Sequence, residues 1–153
     1  MGQAVRYDGL SKFHQPIMDY LALHVELIPF CPEVGIGLPV PREKIQLCYD
    51  KKQLRVQQIA AEHYDYTDQL SRYARQFIEQ NSDLSAIILK SRSPSCGLLS
   101  TPIIQNAKQI GLGSGQFAYT IKTEYPSVLL IEEIKLENVL QCDEFLSLIM
   151  GNG

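Results

Sequence analysis

No apolar run in this chain of 153 residues approaches the roughly 20 needed to cross a bilayer. The first residues, Met1-Gly2-Gln3-Ala4-Val5-Arg6-Tyr7-Asp8, lack the apolar core of a signal peptide. A membrane partner is therefore not expected, and the cytoplasm is the expected location. A clustered positive face is missing too: 14 Lys and Arg residues are scattered among 17 acidic ones, for a net charge of −3. That distribution argues against a nucleic-acid polymer as partner and leaves a small base or nucleoside open as a small-molecule substrate. The four cysteines, Cys31, Cys48, Cys96 and Cys142, form no CxxC pair. Without a secretory signal they read as thiols or metal ligands rather than a disulfide framework, and a metal site would have to be assembled by the fold from distant loops. There is no internal repeat and no low-complexity tract. The remaining composition, 45% hydrophobic and 20% charged, is that of an ordinary globular chain. Its length suits one domain spanning 1–153 that buries roughly two-thirds of its unfolded surface.

Taken in order, Arg6-Tyr7-Asp8-Gly9 reads as a turn-like polar element with no strand before it. Ile17, Met18, Leu21 and Leu23 are spaced for an amphipathic helix over 14–24, with Pro16 tolerated in its first turn. Residues 25–30 read as a strand that delivers Cys31-Pro32-Glu33 to the loop beyond its carboxyl end. The Gly- and Pro-dense segment 35–42 reads as a rigid loop. An antiparallel hairpin around Asp50-Lys51-Lys52 is favoured over a helix from Val56 to Glu62. Thr67 is the expected N-cap of a helix ending near Asn81, with Leu70, Tyr73, Ala74, Phe77 and Ile78 at helical spacing. Residues 85–89 form an apolar strand that breaks into Ser93-Pro94-Ser95-Cys96-Gly97. A helix is expected from Thr101-Pro102, carrying Ile103, Ile104, Ala107 and Ile110 on one face. Gly111 to Gly115 should end it and open another over 116–123. A strand over 127–132 and a helix over 136–150 complete the chain. Near-continuous apolar strands separated by helices predict an α/β fold, three-layer and doubly wound, with a mainly parallel sheet covered by helices on both faces.

In such sheets ligands bind beyond the carboxyl ends of the strands, where Cys31-Pro32-Glu33 and Ser95-Cys96-Gly97 would both sit. Two thiols 65 residues apart could share a metal there, since thiolates suit zinc and iron–sulfur clusters. The competing reading, at equal weight, is that both are small buried hydrophobes. Arg42 could pair with Glu33 or bind an anion. Arg6 and Asp8 could orient substrate or merely close a turn. The glycine run at 111–115 lacks a Walker lysine and reads as a connector, and His14, His24 and His63 have no ligand spacing. The charge-rich stretch 124–137 reads as a solvated surface around a buried strand.

Three motifs in register carry a resemblance: Arg6-Tyr7-Asp8-Gly9; Cys31-Pro32-Glu33 with Gly37-Leu38-Pro39 and Pro41-Arg42; and Lys90-Ser91 with Ser93-Pro94-Ser95-Cys96-Gly97. From the first residues to about Glu124 the chain resembles a bacterial family, long catalogued as a domain of unknown function, whose members include thiouracil desulfidases. The resemblance implies a four-iron four-sulfur cluster held by three cysteines, an open iron that binds the sulfur of a thiolated nucleobase, and exchange of that sulfur for oxygen from water. Carried over by motif, Cys31 and Cys96 match two of the metal ligands. Glu33 and Ser95 become candidates for proton transfer and substrate contact, and Arg6, Asp8 and Ser93 for substrate binding. The departure is at the start, where the family has an apolar strand ending in a cysteine. With that strand missing, unpaired sheet edges favour a homo-oligomer. Either the natural chain is longer, or this member is a degenerate homologue or small-ligand module without a cluster. Cys48 and Cys142 lie in no matching motif.

Overall fold

The computed structural model describes residues 3–8 and 14–151. Two sheets make up the fold. Sheet A has the order β2-β1-β5-β8, with β1 spanning Gln3–Asp8, β2 Val25–Phe30, β5 Leu84–Leu89 and β8 Leu129–Glu132. All of its pairings are parallel. Arg6-Tyr7-Asp8 is thus not a turn: it is the second half of a strand flanked on both sides. The alternation Val5, Tyr7 against Arg6, Asp8 is what period-2 structure requires when each face of a parallel sheet meets a different layer. Gly9 lies outside the described residues.

Helices cover both faces of sheet A, giving the α/β three-layer arrangement. On one face, Val5, Ala86 and Ile88 pack against Ile17 and Leu21 of α1, Gln15–Ala22, and against Phe145, Leu146 and Ile149 of α5, Val139–Gly151. On the other, Ile87 and Leu89 pack against Ala74 and Phe77 of α3, Thr67–Gln80, and against Phe117, Ala118 and Ile121 of α4, Gln116–Glu124. The side chains of Ile87, Leu89 and Phe117 are fully buried, each contributing about 2 kcal/mol in apolar burial. Between β2 and the second sheet lies α2, a single turn over Pro32–Gly35.

Sheet B has the order β4-β3-β6-β7, with β3 Ile45–Asp50, β4 Gln53–Gln58, β6 Thr101–Gln105 and β7 Lys108–Gly113. The hairpin expected around residues 50–52 is present, with Lys51 and Lys52 at φ 48° and 66°, both left-handed as a two-residue turn requires. The helix expected from Thr101 is absent, replaced by a second hairpin whose turn, Asn106-Ala107, sits at φ 51° and 61°. Pro102 argues against an inner strand. β6, however, joins β3 only through Ile103 and Ile104, so Pro102 lies outside that ladder.

Thr67 is the first residue of α3 and not its cap; Tyr66 is the cap. The Thr67 hydroxyl instead accepts the Val56 amide at 2.8 Å, fastening the helix to β4. Asp65 does the capping. It accepts the Thr67 amide at 3.0 Å and takes Arg55 in a two-pronged pair at 2.8 and 2.9 Å. Burial would raise the Asp65 carboxyl, but Arg55 and Thr67 outweigh it and hold the group below its usual range. A carboxyl depressed in the folded state stabilises above its unfolded pKa, and that contribution is lost as pH falls through the folded value. Asp65→Asn is therefore expected to cost about 2 kcal/mol at neutral pH and to flatten the loss of stability below about pH 4, as measured by denaturant melts at stepped pH. An unchanged acid slope would contradict this.

Candidate functional site

Cys31 follows the last residue of β2 in extended conformation, φ −148° and ψ 114°, and caps α2, with Pro32 set in the first turn where its missing amide costs nothing. The turn lies so close to α3 that a Cβ on Gly35 would fall 2.3 Å from the Tyr73 ring, which is why glycine stands there. Arg42 folds back over this element. Its guanidinium donates to Glu33 Oε2 at 2.9 Å, to Pro39 O at 3.1 Å and to Cys31 Sγ at 3.5 Å. The side chains of Arg42 and Glu33 are each only 14% exposed, so the pair is shielded from screening. Burial works against the Arg42 charge, yet pairing with Glu33 prevails and the guanidinium titrates above its ordinary value.

Beyond β5 the loop 90–100 winds around Ser93. The Ser93 hydroxyl accepts the amides of Ser95 and Cys96 at 3.3 and 3.1 Å and bonds the Ser95 hydroxyl at 3.0 Å. Its carbonyl accepts from Gly97 N at 2.9 Å and Thr101 Oγ1 at 2.7 Å. The loop also caps the start of α4: Gly115 N donates to Gly97 O at 2.8 Å, Gln116 N to Pro94 O at 3.1 Å, and Ala118 N to Ser95 O at 3.2 Å. Two consecutive carboxylates at the end of β8 anchor the flanks. Glu133 accepts the Ser91 amide at 2.6 Å and its hydroxyl at 3.0 Å. Glu132 accepts the Leu98 amide at 2.7 Å and the Ser100 hydroxyl.

Cys96 is fully buried in this loop, with the Ser95 hydroxyl donating to its sulfur at 3.7 Å. Burial first, then the neighbouring Asp8 carboxylate, pushes the Cys96 thiol well up; Glu33 adds to the effect. Asp8, the last residue of β1, is 3% exposed and hydrogen-bonded to that thiol. Tyr73 stands within electrostatic reach of both Cys31 and Cys96, and burial together with Cys31 raises its phenol. Above these groups opens a cavity of ≈ 460 Å³, lined by Asp8, Glu33, Arg42, Lys44, Lys90 and Ser93 among others, a size that takes a small heterocycle. A larger groove of ≈ 600 Å³ runs over sheet B but has no thiol or carboxylate on its wall.

The fold thus brings Cys31, Glu33, Asp8, Ser93, Ser95 and Cys96 together. Arg6 is not on the cavity wall: it donates to Asn81 Oδ1 at 2.6 Å, and its guanidinium lies 5.8 Å over the Phe77 ring, on the α3 side. Of the two alternatives for Arg42, the pair with Glu33 forms. Cys48 bonds Gln57 Oε1 at 3.2 Å in sheet B, and Cys142 lies in the α1/α5 core, so neither joins the site. Sequence reading missed Tyr73, which shows the same helical spacing as any core residue. It also missed the anchoring role of Glu132 and Glu133: Glu132 is 6% exposed, and the solvated reading of that stretch fails because two loop groups donate to its carboxylate.

Among the described residues, no three His, Cys, Asp or Glu side chains are disposed to share one metal ion. The donor set nevertheless fits a soft, positively charged polynuclear group. Thiolates are the ligands such a group takes, and Cys31 and Cys96 offer one thiol at the end of each of two strands of sheet A.

The strand ends of a parallel α/β sheet thus carry two thiols, a shielded carboxylate and a hydroxyl-rich loop beside one small cavity. The chain belongs to the 2-thiouracil desulfurase family, whose profile matches residues 1–133. Among solved structures it is similar to TudS, a 4Fe-4S-dependent thiouracil desulfidase, at 27% identity and a TM-score of 0.66, over 96% of this chain and 92% of that one. No curated protein sequence matches it. No helix among the described residues is long and apolar enough to cross a membrane.

Proposed function

We propose that this protein is an iron–sulfur-dependent desulfidase that converts a thiolated nucleobase, such as a thiouracil, and water into the oxygenated base and hydrogen sulfide. The observation that carries the reading is the convergence of Cys31, Cys96 and Glu33 at the strand ends of a family member, beneath a cavity of base size. Cys31 and Cys96 would hold the cluster. When bound, it supplies a Lewis-acidic iron for the thiocarbonyl sulfur.

The remaining work falls to the chain's own side chains. Glu33, held in place by Arg42, reaches the cavity wall and is the group to take a proton from the water that attacks the thiocarbonyl carbon. Arg42 keeps that carboxylate oriented, through the 2.9 Å contact to Glu33 Oε2. The Ser93 hydroxyl, on the cavity wall, is the group to give a proton to departing sulfide; the Ser95 hydroxyl behind it bonds Ser93 at 3.0 Å and donates to the Cys96 sulfur at 3.7 Å.

The test is anaerobic reconstitution with iron and sulfide, followed by measurement of sulfide release and uracil formation from 2-thiouracil. Folded protein that takes up no cluster and releases no sulfide would sink the reading. Within it, Glu33→Gln keeps the hydrogen bond to Arg42 and removes the base, so kcat is expected to fall by ~10²–10⁴-fold with KM little changed.

A further inference from the structure

Sheet B contributes to the site without supplying a thiol. The cavity beside the strand ends of sheet A is walled mostly by charged and hydroxyl side chains, and among the described residues only Ile45, Ile59 and Pro94 are apolar there. Ile45, the first residue of β3, is held by packing against the core of Leu47, Val56 and Leu70. Ile59 follows β4 directly and is 51% exposed, so the core does not require it.

An exposed isoleucine on its own is ordinary. This one stands on the cavity wall with its backbone fixed from two sides. Ile59 N donates to Lys44 O at 2.9 Å, beside Ile45, and the preceding Gln58 N donates to Tyr64 O at 2.9 Å, which closes the segment 59–64 against β4. The side chain is stiff as well, since branching at Cβ restricts χ1, and a stiff group loses little freedom when a ligand packs on it.

A thiolated pyrimidine carries hydrogen-bonding groups at its ring nitrogens and at the carbons that bear oxygen and sulfur. Its C5–C6 edge has none. Asp8, Glu33, Lys90 and Ser93 on the wall suit the polar edges. Pressing one of those edges against isoleucine would strand a donor or acceptor, whereas the C5–C6 edge strands nothing.

We propose that Ile59, with the neighbouring Ile45, is the apolar contact for the C5–C6 edge of the substrate and makes the site specific for a pyrimidine. This rests on the desulfidase reading above. C5 and C6 of 2-thiouracil take no part in sulfur exchange at C2, so the contact is the same in the ground state and the transition state. Its loss therefore shows in KM rather than in kcat.

The experiment compares wild type and Ile59→Ala, loaded with iron and sulfide, for KM and kcat with 2-thiouracil and with 5-methyl-2-thiouracil, and measures uracil binding to the folded, cluster-free proteins by calorimetry. Melting curves confirm that both are folded. Ile59→Ala is expected to raise KM for 2-thiouracil about tenfold, as loss of a hydrophobic pocket contact does, with kcat within about twofold of wild type. For 5-methyl-2-thiouracil the rise is expected to be at most about threefold, because the ligand's methyl group enters the vacated space and restores part of the contact. Uracil should bind the cluster-free variant about tenfold more weakly than the cluster-free wild type. A KM for 2-thiouracil unchanged by the substitution overturns the assignment and leaves the desulfidase reading standing. Equal rises for the two bases overturn the placement of the C5–C6 edge. Wild type that releases no sulfide sinks the desulfidase reading, and uracil then decides the wall: uracil that binds wild type no better than Ile59→Ala overturns it. Should Ile59→Ala fail to fold, Ile59→Thr, which keeps the branch at Cβ, decides by the same comparison.

Discussion

Exchanging Cys96 for serine is expected to abolish sulfide release from 2-thiouracil and to lower cluster occupancy at least ~100-fold, more than loss of a supporting residue costs a metal site. The side chain is fully buried, and its loop is fixed by Ser93, Glu132, Glu133 and the first turn of α4, so no neighbouring group can swing in to replace the sulfur. Serine occupies nearly the same volume, and its hydroxyl can donate to Asp8 as the thiol does, so folding should change by only about 1 kcal/mol. Activity and iron content measured beside a thermal melt separate the two effects. Sulfide release retained in the serine variant would remove Cys96 from the site.

Gly115→Ala is expected to lower stability by about 3 kcal/mol, at the upper end for overpacking. At about 2–4 °C per kcal/mol for a chain of this size, the melting temperature should drop by roughly 10 °C. Its backbone, φ −60° and ψ 151°, suits any residue, so conformational freedom is not the reason for glycine. Space is: a Cβ would stand 2.4 Å from Ser95 C and 2.5 Å from Cys96 N, backbone atoms that cannot turn aside. The hydrogen bonds from Gly115, Gln116 and Ala118 to the loop carbonyls would stretch or break, displacing Cys96 with them. Gly111→Ala is the control, since its Cβ meets nothing within 4 Å. Equal melting temperatures for both variants would show that the loop yields to the methyl group.

Sheet A was largely legible. The continuous apolar run at 85–89 could bury both faces only in a covered parallel sheet and appears as β5; the strand read at 25–30 appears as β2, at the sheet's edge with only Val25 buried. Sheet B was half legible. Asp50-Lys51-Lys52 announced one hairpin, but the second was hidden because Pro102 and the spacing of Ile103, Ile104, Ala107 and Ile110 imitate a helix start. β1 was misread because Arg6 and Asp8 are charged. Strand membership there follows from partners distant in sequence, Asn81 and Phe77 for Arg6 and Cys96 for Asp8.

The same holds for the site. Motifs marked Cys31, Glu33, Ser93, Ser95 and Cys96, since their loops carry their own local geometry. Tyr73, Gly115 and the Glu132-Glu133 pair act by reaching across the fold, and no local pattern distinguishes a carboxylate that takes a loop amide from one that faces water.

Cys31 and Cys96 leave the ribosome well before the residues that fix the Cys96 loop, because both of its carboxylate anchors sit at the end of β8, the last strand of sheet A in chain order. A nascent chain that stops short of residue 133 carries both thiols but no finished seat for them. Seating of any group on the Cys96 sulfur would therefore come late, following the docking of β8 rather than guiding the fold.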